Sequence, residues 1–123
     1  MILGTGCDLS DIRRIERILS RFERNFLLKI LTPAEQKNLH GCKAQYVAGR
    51  FAAKEACAKA LGTGFQQGLT FTDLEILTDQ LGAPCLYFHG QAKALAHRLG
   101  VKKSFVSISH ERNYALAFVI LEG

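Results

Sequence analysis

The chain has 123 residues, 48% of them hydrophobic, with a formal charge of +5 and a pI near 9.2. That length suits one domain (1–123) with a modest core. No run of about 18 apolar residues appears, so no membrane span is expected, and the opening MILGTGCDLSD lacks a basic leader, which predicts a cytoplasmic protein.

MILGTGCDL reads as a short strand ending near Asp8, and a helix then begins at Ser10 and Asp11, both suited to capping. Ile12, Ile15, Leu19 and Phe22 recur at helical spacing and predict its buried stripe. Arg13, Arg17, Arg21 and Arg24 fall opposite, with Arg14 beside them, making either a solvated face or a docking surface for an acidic partner. Thr32, Pro33 and Glu35 form a capping-box pattern that opens a short helix ending near Gly41. The longest helix is expected from Ala44 to Leu61, with Gly62 as its stop.

The second half is richer in strands. LTFTDLEILTD and APCLYFH read as two strands joined by QLGAP, and GQAKALAHRLG as a helix with Ala92, Leu95, Ala96 and Leu99 on one side. SFVSISH and NYALAFVILEG read as an antiparallel hairpin. Both faces of YALAFVIL are apolar, so this strand should be central or covered by another subunit. The order predicts a small α+β domain with a mostly antiparallel sheet packed on a long helix.

Cysteines at 7, 42, 57 and 85 form no C-x-x-C pair and read most simply as small buried hydrophobes. Histidines at 40, 89, 97 and 110 lack zinc spacing, which leaves oxygen ligands as the remaining metal chemistry.

The long helix holds the puzzle. Lys54 falls in the same arc as Val47, Ala58 and Leu61, where burial without a partner is costly. Lys59 follows Glu55 by four residues, a spacing that a plain ion pair explains. Lys54 either snorkels its ammonium to solvent or lines a site whose ligand brings it negative charge. If Glu55 also approaches phosphates, a magnesium ion is needed, with Asp8 as the second carboxylate. LGTG at 61–64 offers backbone amides for phosphate, although neither it nor GTGCDL matches a nucleotide-binding fingerprint. The residues alone reach magnesium-dependent phosphoryl or phosphodiester chemistry and stop there.

GTGCDL at 4–9, RFAAKEACAKALGTG at 50–64 and SISHERNYALAFVI at 107–120 together resemble the holo-acyl-carrier-protein synthase family of phosphopantetheinyl transferases. The resemblance extends through ILTPAE and FTDLEI, and its pattern F-x-x-K-E-x-x-x-K is Phe51, Lys54, Glu55 and Lys59 here. Cys7, Cys57 and Ala83 depart from the usual family residues, with effects expected on packing and, for Ala83, on a phosphate or partner contact.

The resemblance implies transfer of phosphopantetheine from coenzyme A to a serine of apo acyl-carrier protein in fatty acid biosynthesis, releasing adenosine 3',5'-bisphosphate. It implies that Asp8 and Glu55 hold Mg²⁺, that Lys59 assists the leaving group, and that Glu55 or a water on the metal takes the serine proton. Coenzyme A contacts are expected from Arg50, Lys54, Lys59, Gly62, Thr63, Gly64 and His110. Carrier docking is expected from Arg13, Arg14, Arg17 and Arg21, and the family further implies a homotrimer with sites between subunits. A basic nucleic-acid-binding module accounts for the charge but leaves Asp8 and Glu55 unexplained. No nucleic-acid or membrane partner is therefore expected.

Overall fold

A computed structural model describes residues 1–39 and 41–123 of the protein. His40, one of the histidines considered above, lies outside them. A strand, β1 (Ile2–Asp11), leads into the helix α1 (Ile12–Ile30), then the short α2 (Pro33–Lys37) and the long α3 (Lys43–Ala60). A single 3-10 turn (Phe71–Asp73) precedes the hairpin β2 (Leu74–Thr78) and β3 (Pro84–Phe88). The helix α4 (Gly90–Leu99) and the strands β4 (Lys103–His110) and β5 (Tyr114–Glu122) complete the chain.

β5 is the central strand of a three-stranded antiparallel sheet, with β1 and β4 on its flanks, as its apolar sequence predicts. Ala115, Ala117, Val119 and Leu121 point into the core, while Leu116 and Phe118 on the other face are each 43% exposed. Register sets Leu9 opposite Leu116 and Cys7 opposite Phe118, so the outer face is an apolar strip joined by the exposed Phe105.

The inner face of β1 carries Gly4, Gly6, Asp8 and Ser10 by alternation. A Cβ added at Gly6 would fall 1.8 Å from the Ala56 carbonyl oxygen, and one at Gly4 would fall 2.1 Å from that of Ala60. The two glycines therefore let α3 lie directly against the strand. The helix answers with small buried residues, Ala52, Ala53, Ala56, Cys57 and Ala60, which pack on β5 and on Leu74 and Ile76 of β2. A second cluster seats Ile12, Ile15, Leu19 and Ile30 of α1 against Val47 and Ala48.

Three expectations change in detail. Phe22 is 56% exposed rather than buried, because its backbone (φ −136°, ψ 36°) kinks α1 and turns Phe26 and Ile30 into the core instead. LTFTDLEILTD is only half strand, its first part being the 3-10 turn capped reciprocally by Thr70 and Asp73. Leu99, at the end of α4, is 45% exposed while Ala92, Leu95 and Ala96 are buried.

Candidate active site

α3 lies along β1, and this contact assembles Asp8, Glu55 and Lys59. Asp8 follows Gly4 and Gly6 on the helix-facing side, so the close approach those glycines allow brings its carboxylate to the last turns of α3. Lys59 Nζ donates to Asp8 Oδ1 at 3.1 Å and to the Cys7 carbonyl at 3.0 Å. Lys59 thus pairs with Asp8 and not with Glu55 one turn earlier. Burial, and then the negative charge of Asp8, hold the Glu55 carboxyl above its usual range, with Lys59 opposing them. Two carboxylates acting on one space without a matching pair of cations form a hard-oxygen donor set. Among the described residues no group of three or more His, Cys, Asp or Glu side chains gathers to hold a metal. Asp8 and Glu55 fit magnesium, which takes one or two carboxylates and fills its shell with phosphate and water oxygens.

Arg50 and His110 meet elsewhere, in a cavity of about 240 Å³ lined also by Cys42, Gln45, Tyr46, Gly49 and Ile108. Arg50 is only 8% exposed, its guanidinium lies 4.3 Å from the Tyr46 ring centre, and its buried Nε has no hydrogen-bond partner among the described residues. A buried donor in that state suits an acceptor arriving through the cavity mouth. The nine steps along the helix from Arg50 to Lys59, at about 100° each, place the two on opposite sides of α3. The sheet repeats the division, with Asp8 on the flanking strand β1 and His110 on β4, the strand beyond β5.

The expected phosphate contact of Lys54 is corrected. Lys54 has no exposed surface and pairs at 2.6 Å with Glu35, which is equally buried. It also donates to the Ile30 carbonyl. Its charge is met inside the protein, so no phosphate is required to explain it. Glu35 was read from sequence only as a cap. Its Oε1 indeed accepts from Thr32 N–H at 2.8 Å, and its Oε2 accepts from Ile76 N–H at 2.9 Å, which ties α2, α3 and β2 together. In LGTG the two glycine amides are already engaged. The Gly62 and Gly64 amides donate to the carbonyls of Lys59 and Ala58, closing the end of α3 instead of facing a ligand. Both glycines have positive φ, 88° and 60°, as that turn requires. Between them, Thr63 turns its hydroxyl to the Gly64 carbonyl at 2.9 Å.

The arginines of α1 divide. Arg13 is held by Asp11 at 2.9 Å and by the Tyr114 hydroxyl at 3.2 Å. Arg14 lines a cavity of about 300 Å³ together with Glu55, Lys29 and the rings of Phe26, Phe51 and Phe71. Arg17 borders a shallow depression with Arg13 and Glu16, and Arg21 lies over the Phe22 ring. Arg14 is the one that shares a cavity with Glu55.

Residues 4–119 match the model of the 4'-phosphopantetheinyl transferase superfamily. The chain is 54% identical to a holo-[acyl-carrier-protein] synthase of Solidesulfovibrio magneticus over 123 residues, covering all of both chains. Its fold superposes on the crystal structure of holo-[acyl-carrier-protein] synthase from Neisseria meningitidis with a TM-score of 0.93, at 37% identity and full coverage of both. A Helicobacter pylori holo-[acyl-carrier-protein] synthase in complex with coenzyme A superposes at 0.86, with 34% identity over 96% of this chain and 99% of that one.

Proposed function

Because the chain belongs to the 4'-phosphopantetheinyl transferase superfamily, we propose that it moves phosphopantetheine from coenzyme A to a serine of an apo acyl-carrier protein, releasing adenosine 3',5'-bisphosphate. The observation that carries this reading is the meeting of Asp8, Glu55 and Lys59 where α3 lies along β1.

Asp8 and Glu55 are the residues that would hold Mg²⁺. When bound, the ion polarises the pyrophosphate and offsets charge that develops in displacement. Lys59 is anchored through Asp8 and the Cys7 carbonyl, so its ammonium is already ordered for phosphates that bind at the carboxylates. From there it can stabilise negative charge on the departing bisphosphate. Arg50, with His110 beside it as a hydrogen-bonding group, supplies a pocket for a further phosphate of coenzyme A, which the Arg50 Nε without a partner among the described residues supports. The arginine stripe of α1 provides the dock for an acidic carrier, and Arg14 brings that dock to the edge of the cavity that holds Glu55.

The separation of the two clusters bears on assembly. Asp8, Glu55 and Lys59 lie on one side of α3 and Arg50 on the other, so a complete site is made when one copy presents its Arg50–His110 pocket to the carboxylates of the next. The apolar strip of Leu9, Phe105, Leu116 and Phe118 gives such copies a surface to bury, in keeping with a homotrimer.

The test is mass spectrometry of an apo carrier protein incubated with the chain, coenzyme A and Mg²⁺. A serine-linked gain of phosphopantetheine is expected, abolished by EDTA and by Glu55→Gln. No gain across several apo carriers overturns the reading.

A further inference from the structure

The four cysteines stand in unlike surroundings. Cys57 is fully buried, and burial pushes its thiol up to about 12, which makes it inert at neutral pH. Cys85 is half-buried on β3. Cys7 is exposed, but it sits on the apolar outer face of the sheet opposite Phe118, the surface assigned above to subunit contact. Cys42 is different. It is exposed, immediately precedes the first residue of α3, makes no capping bond with its side chain, and lines the mouth of the Arg50–His110 cavity.

That cavity is built for an anion on independent grounds. Among the described residues, Arg50 is more than nine-tenths buried with an unpartnered Nε, and no carboxylate lines the walls. The amino end of an 18-residue helix opens beside it, where free N–H groups favour negative charge. The adjoining Lys43 is held by Glu23 at 3.0 Å, so the attraction rests on Arg50 and the helix end. A negatively charged reagent is drawn to a place where an accessible thiol already stands.

We propose that Cys42 is a thiol modification site which, on reaction with an anionic low-molecular-weight disulfide, closes the Arg50–His110 cavity to coenzyme A. The proposal rests on the coenzyme A reading of that cavity. The deprotonated Cys42 sulfur attacks one sulfur of the disulfide, the old S–S bond breaks as the mixed disulfide forms, and the other half leaves as a thiolate that takes up a proton. A dithiol reductant reverses the exchange. The attached group places its carboxylates over Arg50 and His110, where the phosphate of coenzyme A would otherwise bind.

The charge of the reagent gives the test. The protein is exposed at low salt to equal concentrations of glutathione disulfide (anionic), hydroxyethyl disulfide (neutral) and cystamine (cationic), and the Cys42 adduct is followed by peptide mass spectrometry. The anionic reagent should label Cys42 roughly tenfold faster than the cationic one. High salt should narrow that gap, and adenosine 3',5'-bisphosphate, which has no thiol of its own, should slow the labelling. Transfer activity should fall in step with the adduct and return with dithiothreitol, while Cys42→Ser keeps its own untreated rate through the same exposure. Equal labelling by all three reagents, labelling of Cys7 ahead of Cys42, no protection by the bisphosphate, or a Cys42 adduct with activity intact each overturns the proposal. Failure of the coenzyme A reading shows separately, as an untreated protein that transfers nothing, because the charge preference is read by mass alone.

Discussion

Adjacent residues of α3 meet opposite fates. Lys54 is sealed inside with Glu35, and Glu55 is left facing the carboxylate of Asp8. Replacing Lys54 by Met strands a buried carboxylate, and we expect a loss of about 3–5 kcal/mol in denaturant titrations. Combining it with Glu35→Gln should recover part of that loss, giving a coupling that an exposed pair would not show. Glu55 works in the other direction. Its carboxyl is raised above 4.5 by burial and by Asp8, so over the window just above 4.5 the native state keeps a proton that the unfolded chain has released. Stability from this group therefore falls as pH rises through that window, and at neutral pH the ionised Glu55 is a net cost to the fold. In magnesium-free buffer at pH 7, Glu55→Gln should raise the melting midpoint, and its transfer rate with Mg²⁺ should drop at least about 100-fold. A variant that melts lower than the parent contradicts this account. The sequence exposed the oddity of Lys54 but not its answer, because the i, i+3 capping pattern fully explained Glu35 locally. Nothing in periodicity links Glu35 to a lysine 19 residues on.

At the scale of elements, the site depends on how closely α3 lies on β1. The helices, the hairpin of β4 and β5 and the central place of β5 were legible because periodicity, capping residues and a two-faced apolar strand report on local structure. The meaning of Gly4 and Gly6 was not. In the sequence they are only two glycines of a strand ahead of a carboxylate, yet their function is to admit the Ala56 and Ala60 carbonyls, a contact between elements some 50 residues apart. In LGTG the helix stop was legible, but glycine serves helix closure and phosphate binding alike, and the sequence does not show which amides are already bonded. Gly6→Ala should therefore do more than destabilise. The added methyl must push backbone from backbone, at a cost of about 1–3 kcal/mol, and must move Asp8 away from Glu55 and Lys59. Magnesium affinity, measured by calorimetry in the presence of coenzyme A, should weaken even in the fraction that stays folded. Unchanged affinity would mean that this contact does not set the geometry of the carboxylates.

At the scale of the whole molecule, charge and apolar surface divide the work of recognition. The net charge of +5 is concentrated in part on α1, and Arg14 opens onto the cavity of Glu55. Reversing Arg14 and Arg21 to Glu should raise the Michaelis constant for an acidic carrier roughly tenfold at low salt and leave that for coenzyme A unchanged. The defect should shrink as salt screens the encounter. The division of the site across α3 leads to a stricter experiment. If each site takes Glu55 from one copy and His110 from the next, Glu55→Gln and His110→Ala damage different halves of it. Each variant alone spoils every site, and coenzyme A is kept well below saturation so that the His110 defect shows. Refolded together in equal amounts, the copies assort at random around a closed ring. About a quarter of the sites then pair an intact Glu55 with an intact His110 on the neighbouring copy. Activity should rise to about that fraction of the parent's, and a Phe118→Glu background that buries no apolar strip should prevent the rise. If both halves of the site belong to one copy, the mixture will do no better than the mean of the two variants.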